Sequence, residues 1–255
     1  MAGIITLTTD FGINDAYVGI MKGVILGINP DIHLIDISHG IEPQNIPQAA
    51  YILDTAHPYF PKGTIHVVVI DPGVGSDRRA VILRTSEALF VAPDNGVLSY
   101  VEKDMVEAVA ITNPRFWLNP ASTTFHGRDI FAPVAARLSL GTALCEFGEA
   151  ATSLITLPPS EPIIEADGTL IGCVIHIDRF GNLITNIKHR DLQRKDQQIE
   201  VKGHCIKGLS YSYDEGDELL ALIGSDGRIE IAARNGSAVA LLEAKVGDRV
   251  DISVP

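Results

Sequence analysis

Apolar and polar positions follow one rhythm through the first two thirds of this chain and a different one afterwards. "GIITLTT" (3–9) is a short apolar run closed by Asp10, the pattern of a buried strand. "NDAYVGIMKGVILGIN" (14–29) repeats its apolar residues at helical spacing. Val18, Met21, Ile25 and Ile28 share one face, Asn14 or Asp15 is the expected N-cap, and Asn29-Pro30 is the stop. "IHLIDIS" (32–38) is a second strand. "NIPQAAYILDTAH" (45–57) is a second helix, with Ile46, Ala49, Ala50 and Leu53 on one face and Pro47 tolerated in its first turn. "TIHVVVI" (64–70) is nearly continuous in apolar residues, as a strand covered on both faces requires. "AVILR" (80–84) reads as another strand, and "DIFAPVAARLSLG" (129–141) as a helix ended by Gly141. Strands alternating with helices predict an α/β domain, its central and mostly parallel sheet flanked by helices.

Near "TLPPSEP" (156–162) the pattern changes. "TLIGCVIHID", "ELLALIG", "RIEIAA" and "AVALLEA" are short runs separated by "DG", "GN" and "SDG", which are hairpin signals, and no convincing amphipathic helix interrupts them. A boundary near residue 160 is therefore expected, with an α/β domain over 1–160 and an all-β barrel or sandwich over 161–255.

Composition narrows the function classes. The 255 residues carry a net charge of −12 with no Lys/Arg cluster, which argues against a nucleic-acid partner, since phosphates need a basic face. Cys145, Cys173 and Cys205 are odd in number, widely spaced and without metal-ligand spacing, so free thiols in a reducing compartment are expected. The opening "MAGIITLTTD" lacks the basic segment and long apolar run of a signal peptide, and no stretch reaches the roughly 20 apolar residues of a membrane span. The expectation is a soluble, cytoplasmic protein.

Ligands of open α/β sheets sit outside the carboxyl ends of the strands, where Asp10, His39 and Asp71 fall. Each alone suits a cap on the following turn; two carboxylates at one sheet edge suit cation binding or hydroxyl recognition. "VVVIDPGVGSDRRAV" (67–81) looks like a phosphate loop but lacks the Gly-Lys-Ser/Thr that opens a helix, and it places an acid where phosphate would sit. "TTFHGRDIFAP" (123–133) sets His126 just before a helix start, with Asp129 in the capping region. "HIDRFGNLITNI" (176–187) crowds Asp178, Phe180, Asn182 and Asn186 around a Gly-Asn turn. That pattern suits plain hairpin chemistry, or an aromatic face beside an amide that pairs with a purine edge.

Taken together, "TLTTDFG", "IDPGVGSDRRA", "APDNG", "FHGRDIFAP" and "IDRFGNLITNI" occur in an order and spacing that resembles the S-adenosyl-L-methionine (SAM) hydroxide adenosyltransferase family, relatives of the SAM-dependent fluorinase and chlorinase. The likeness runs from Ile4 to about Ile252. It implies an N-terminal α/β domain, a C-terminal β-barrel, and a homotrimer with sites at subunit interfaces. The implied reaction displaces L-methionine from C5′ of SAM by water or hydroxide, giving adenosine. By motif, the resemblance assigns the catalytic Asp, Arg and His to Asp71, Arg78 (of the doublet with Arg79) and His126. Asp10 resembles the acid that accepts from both ribose hydroxyls, Asp15 a residue near the methionine moiety, and Asp178 the acid that holds its ammonium. Phe180 and Asn182 resemble the adenine platform and its amide partner. Ser225 resembles a methionine-carboxylate contact, although Asp226 stands where the fluorinase has Arg. The backbone around Ala233 resembles the strand that touches the adenine edge.

The implied chemistry asks for no cofactor or metal, because a sulfonium departs as a neutral thioether. The weak nucleophile is the difficulty, and an Asp/Arg/His set could hold and activate one water. A carboxylate paired with arginine is a weak base, which favours His126 as proton acceptor or a water held as partial hydroxide by the whole set. Two alternatives follow from the same residues: a chlorinase-like halogenase, disfavoured because the halogenating relatives carry Tyr at the position of Asp71, and a non-catalytic adenosine or SAM binding protein.

Overall fold

A computed structural model describes residues 3–158, 161–192, 197–215 and 217–253. The chain divides into two compact units, Met1–Leu157 and Pro158–Pro255.

The first unit runs β1 (Ile4–Thr9), α1 (Tyr17–Ile28), β2 (His33–Ser38), α2 (Ile46–Ala56), β3 (Ile65–Val69), β4 (Ala80–Arg84), β5 (Leu89–Pro93), β6 (Glu107–Ala110) and α3 (Ala132–Ser139). Among the described residues these strands form a six-stranded sheet in the order β2-β1-β3-β5-β4-β6. The pairs β1–β2, β1–β3 and β3–β5 are parallel, while β4 runs antiparallel to both β5 and β6. Residues 64–70 do contain a doubly covered strand, β3. Val67 and Val69 join the core layer that holds Met21, Ile25 and Phe131, whereas Val68 and Ile70 join the layer of Leu53, Leu83 and Phe90.

Helix boundaries differ from the sequence expectation in two places. Helix α1 starts at Tyr17, with Ala16 at the N-cap and no capping side chain. Asn14 and Asp15 fall two and one residues too early, respectively, to reach the free amides of the first turn. Helix α2 behaves as expected: Asn45 caps it by accepting from the Gln48 amide at 3.0 Å, and Pro47 sits in the first turn. The stretch expected as a helix from Asp129 opens instead with a wide π turn over Gly127–Phe131, and α3 follows from Ala132.

The second unit comprises β7 (Ile163–Ile164), β8 (Leu170–Ile177), β9 (Leu183–Lys188), β10 (Gln198–Val201), β11 (His204–Lys207), β12 (Leu219–Ile223), β13 (Arg228–Ala233), α4 (Ala238–Leu242) and β14 (Arg249–Ser253). Every strand pairing in it is antiparallel. The order β11-β10-β14-β8-β9-β13-β12, with β7 beside β8 and β11 touching β12, makes a nearly closed barrel around Val174, Leu183, Ile229 and Val250. "AVALLEA", expected as a β run, is instead the short helix α4. Ser237 caps it by accepting from the Ala240 amide, and Ala238 and Leu242, four apart, face the barrel core.

The first core also buries a histidine. His66 on β3 is fully buried, stacks on Phe90 at 5.1 Å, and meets the Thr6 hydroxyl through Nδ1 at 2.8 Å. Its Nε2 has no hydrogen-bond partner among the described residues. Burial, and secondarily the neighbouring His57, push its pKa from 6.5 down to about 3. The unfolded chain thus binds a proton that the folded chain refuses. The stability this contributes is complete above pH 6.5 and is lost as pH falls from 6.5 toward 3, by up to about 1.4 kcal/mol per pH unit. Urea titrations at pH 7 and pH 5 are expected to differ by roughly 2 kcal/mol more for the wild type than for His66→Phe. Equal differences would show that His66 does not titrate on unfolding.

Candidate active site

Two loops at the carboxyl edge of the first unit's sheet supply the candidate groups Asp71, Arg78 and His126. The first is the connection from β3 to β4. It turns through Asp71-Pro72-Gly73-Val74-Gly75, held by the Asp71 carbonyl accepting from the Val74 amide at 3.2 Å and the Gly73 carbonyl accepting from the Ser76 hydroxyl at 2.6 Å. Gly75 has φ +79°, and a Cβ there would stand 2.4 Å from the carbonyl oxygen of Thr123. Only glycine lets this loop press against the second one, "TTFHGRD".

That contact delivers His126 to Arg78. Arg78 donates to both carboxylate oxygens of Asp71, from Nε at 2.8 Å and from Nη2 at 2.5 Å, and Nη2 also meets His126 Nδ1 at 2.7 Å. The guanidinium lies 5.3 Å from the Phe131 ring centroid. The side chains of Arg78 and Asp71 are only 10% and 6% exposed, so the pair is held in a site poor in solvent. Arg79 turns the other way, donating to Asp94 from Nε at 2.8 Å and to the Ser153 carbonyl from Nη2 at 2.8 Å.

The proton on His126 follows from its partner. A guanidinium only donates, so Nδ1 is the acceptor and the neutral ring carries its hydrogen on Nε2. Burial first, and Arg78 second, lower the pKa of His126, with Asp71 and Asp129 pulling the other way. The loop is braced beneath by Asp129, which is almost fully buried. It accepts from Arg128 Nε at 2.6 Å and from the Ser122 amide at 2.8 Å.

Asp71 and His126 line a cavity of about 440 Å³ with Asp10, Phe11, Tyr17, Gln44 and Phe125 among its other walls. Asp10 Oδ2 accepts from the Gln44 amide at 2.8 Å, and Gln44 holds φ +66° to deliver it. Asp15 is exposed and outside the cavity wall. His39, the third polar strand end, meets Thr9 Oγ1 through Nδ1 at 2.8 Å and Asp36 through Nε2 at 3.0 Å, so it braces the strand that ends at Asp10. Phe11, Tyr17 and Phe125 pack edge to face or tilted, with centroids 5.2 to 5.7 Å apart. Phe11 and Phe125 adjoin residues of the "TTDFG" and "FHGRD" motifs and could have been found that way. Nothing in the sequence marks Gln44, whose backbone conformation is its contribution.

In the second unit Asp178, Phe180 and Asn182 share one turn. Asp178 Oδ1 accepts from the Phe180 and Asn182 amides, both at 2.9 Å, and Oδ2 accepts from Asn182 Nδ2 at 3.0 Å. Phe180 is left 77% exposed while Asn182 is buried. Ser225 is exposed in the turn after β12, and Ala233 is buried at the end of β13.

Residues 5–148 match the SAM hydroxide adenosyltransferase N-terminal domain, and residues 172–251 match the C-terminal domain of the same name. The chain belongs to the SAM hydroxide adenosyltransferase family. It is 39% identical to the (R)-S-adenosyl-L-methionine hydrolase of Methanocaldococcus jannaschii, covering 98% of this chain and 95% of that one. A fluorinase of Nocardia brasiliensis is 30% identical over 75% of this chain and 73% of its own. The crystal structure of an uncharacterized conserved protein from Thermotoga maritima superposes with a TM-score of 0.91 at 37% identity, covering 98% of this chain and all of that one. In the first unit Asp10, Asp71 and His126 line one cavity, and Arg78 bridges Asp71 and His126.

Proposed function

We propose that this protein hydrolyses S-adenosyl-L-methionine at C5′, giving adenosine and L-methionine. The observation that carries the reading is the Asp71–Arg78–His126 cluster: it sits at the wall of a nucleoside-sized cavity, and its Asp71 carboxylate would repel a halide nucleophile but can accept a hydrogen bond from water. Water attacks C5′ in line with the C5′–S bond. The oxygen–carbon bond forms as the carbon–sulfur bond breaks, its electron pair stays on sulfur, and one water proton is released.

Against the expectation that favoured His126, its Nδ1 accepts from Arg78 and its Nε2 carries the hydrogen, so the ring has no free lone pair and the proton goes to Asp71, whose oxygens each keep a second lone pair beside the Arg78 bonds. Arg78 stabilises the growing hydroxide character, and His126 Nε2–H donates to the water oxygen. Holding the water in line supplies a further large share. Asp10 is assigned the ribose hydroxyls; the family resemblance assigns the adenine and methionine ends to Asp178, Phe180, Asn182, Ser225 and the Ala233 strand. The departing thioether is neutral, so the reaction draws on no metal, and EDTA is expected to leave the rate unchanged.

The relative from M. jannaschii is named for the (R) sulfonium, and we assign the same epimer to this chain. We also assign it a homotrimeric, cytoplasmic state. Its three cysteines are free, and among the described residues no helix is long and apolar enough to cross a membrane. Light scattering is expected to return three times 27.4 kDa.

The direct test is incubation with separated SAM epimers in ¹⁸O water. Adenosine labelled at its 5′ oxygen is expected from the (R) epimer. With chloride present, no 5′-chloro-5′-deoxyadenosine should form. Adenosine at only the uncatalysed level defeats the reading. Because protonating His126 breaks its bond to Arg78, kcat/KM should fall on the acid side, with an apparent pKa below 6.5.

A further inference from the structure

"APDNG" (92–96) contributes nothing to the cavity wall, yet it lies directly under the catalytic loop. In the sheet β5 stands between β3 and β4. The connection from β3 to β4 must therefore arch over the carboxyl end of β5, and Asp71 and Arg78 stand at the two ends of that arch. The residues that leave β5, Asp94 and Asn95, rise beneath it.

Each grips one foot. Asn95 Nδ2 donates to the carbonyl of Ile70, the residue before Asp71, at 2.8 Å. At the other foot, Asp94 accepts from Arg79, the residue after Arg78, at 2.8 Å from Nε and 2.5 Å from Nη2, and its own amide donates to the Arg79 carbonyl at 2.9 Å. The gripping residues are themselves fixed. Asp94 is 3% exposed and its second oxygen accepts from the Ile155 amide at 2.7 Å. Asn95 Oδ1 accepts from the Val97 amide at 3.2 Å.

We propose that Asp94 and Asn95 are positioning residues that set the separation of Asp71 and Arg78. The proposal rests on the reading of that pair as the water-handling groups. An arch containing Gly73 and Gly75 has many conformations of its own, and a bidentate carboxylate–guanidinium contact tolerates few of them. Pinning both feet one residue outside the pair removes that freedom before substrate arrives. A slip of about 1 Å at such a site costs up to roughly 10²-fold in rate.

Asn95→Asp is nearly isosteric: it keeps the acceptor for the Val97 amide and replaces only the donor to Ile70. Asn95→Leu removes both. Assayed well below their unfolding temperatures, both variants are expected to lose about 10- to 100-fold in kcat on SAM, with KM within about twofold of wild type. In an Arg78→Met background the Asn95→Leu change should cost less than about twofold, because the pair it serves is already gone. Equal losses in both backgrounds, or wild-type kcat in Asn95→Asp, would overturn the proposal. A second measurement needs no turnover. In ¹⁵N NMR of Asn95→Leu, the Arg78 Nε proton should exchange at least about tenfold faster while that of Arg79 is unchanged. Unchanged Arg78 exchange would also overturn it. Should the wild type release no adenosine, the SAM reading fails, and the exchange experiment still decides the positioning role.

Discussion

Arg78→Met is expected to lower kcat on SAM by about 10²–10³-fold, the usual loss when one preorganised charge facing a transition state is removed. It should also lower thermal stability. The Asp71 side chain is only 6% exposed, and its carboxylate would be stranded without its bidentate partner. Breaking a buried pair from one side costs roughly 3–5 kcal/mol, because the remaining charge stays desolvated. The double variant Asp71→Asn/Arg78→Met therefore separates the two effects: stability should return toward wild type while activity stays lost. Arg78→Lys keeps the charge but cannot reach both Asp71 oxygens and His126 Nδ1 together, so its kcat should stay well below wild type. Steady-state kinetics and thermal unfolding on the same preparations check all three. A kcat for Arg78→Met within a few-fold of wild type would remove Arg78 from the mechanism.

Gly75→Ala carries the second large effect, and it acts from outside the cavity. The residue occupies φ +79°, where an L side chain is strained, and its new Cβ would lie 2.4 Å from the Thr123 carbonyl oxygen. That neighbour is backbone and cannot rotate away, so the two loops must part. Left-handed strain and the forced shift together are expected to destabilise the first unit by about 2–4 kcal/mol. Thr123 is three residues before His126, so separating the loops also draws His126 Nδ1 from Arg78, and kcat should fall with the unfolding temperature. Substrate protection distinguishes the outcomes. A variant with lowered stability but wild-type kcat would show that the His126 contact survives the parting, and the loop-to-loop brace would then be structural only.

Much of the architecture follows from local patterning. Residues 64–70 are apolar at every strand position except His66, and that alone requires cover on both faces; Asn45-Ile46-Pro47 carries the start of α2 in its own chemistry. The motif "DPGVG" announces a turn in which Asp71 ends a strand, and "FHGRD" announces His126 at a helix start. These are short-range features, settled within a few residues by sterics and hydrogen bonding. The failures are informative for the same reason. "AVALLEA" is as apolar as a strand, and only the Ser237 cap and the barrel wall that receives Ala238 and Leu242 make it a helix. The antiparallel setting of β4 depends on pairing with β5 and β6 across long separations, which no local pattern encodes.

At the site, the identities of Asp71 and His126 could be read from the chain, but their meeting could not. They are 55 positions apart in the sequence, joined only because Arg78 bridges them. Adjacent residues of an extended segment project to opposite sides, so Arg78 and Arg79 are equivalent as letters and opposite in space. One closes on Asp71 and the other on Asp94, and the sheet order that puts β5 beneath the loop decides which. Patterning thus determined the α/β class of the first unit, the all-β class of the second and the residue types of the site. The tertiary structure decided which side chains share a volume, because that depends on strand order and loop-to-loop contact rather than on neighbours in sequence.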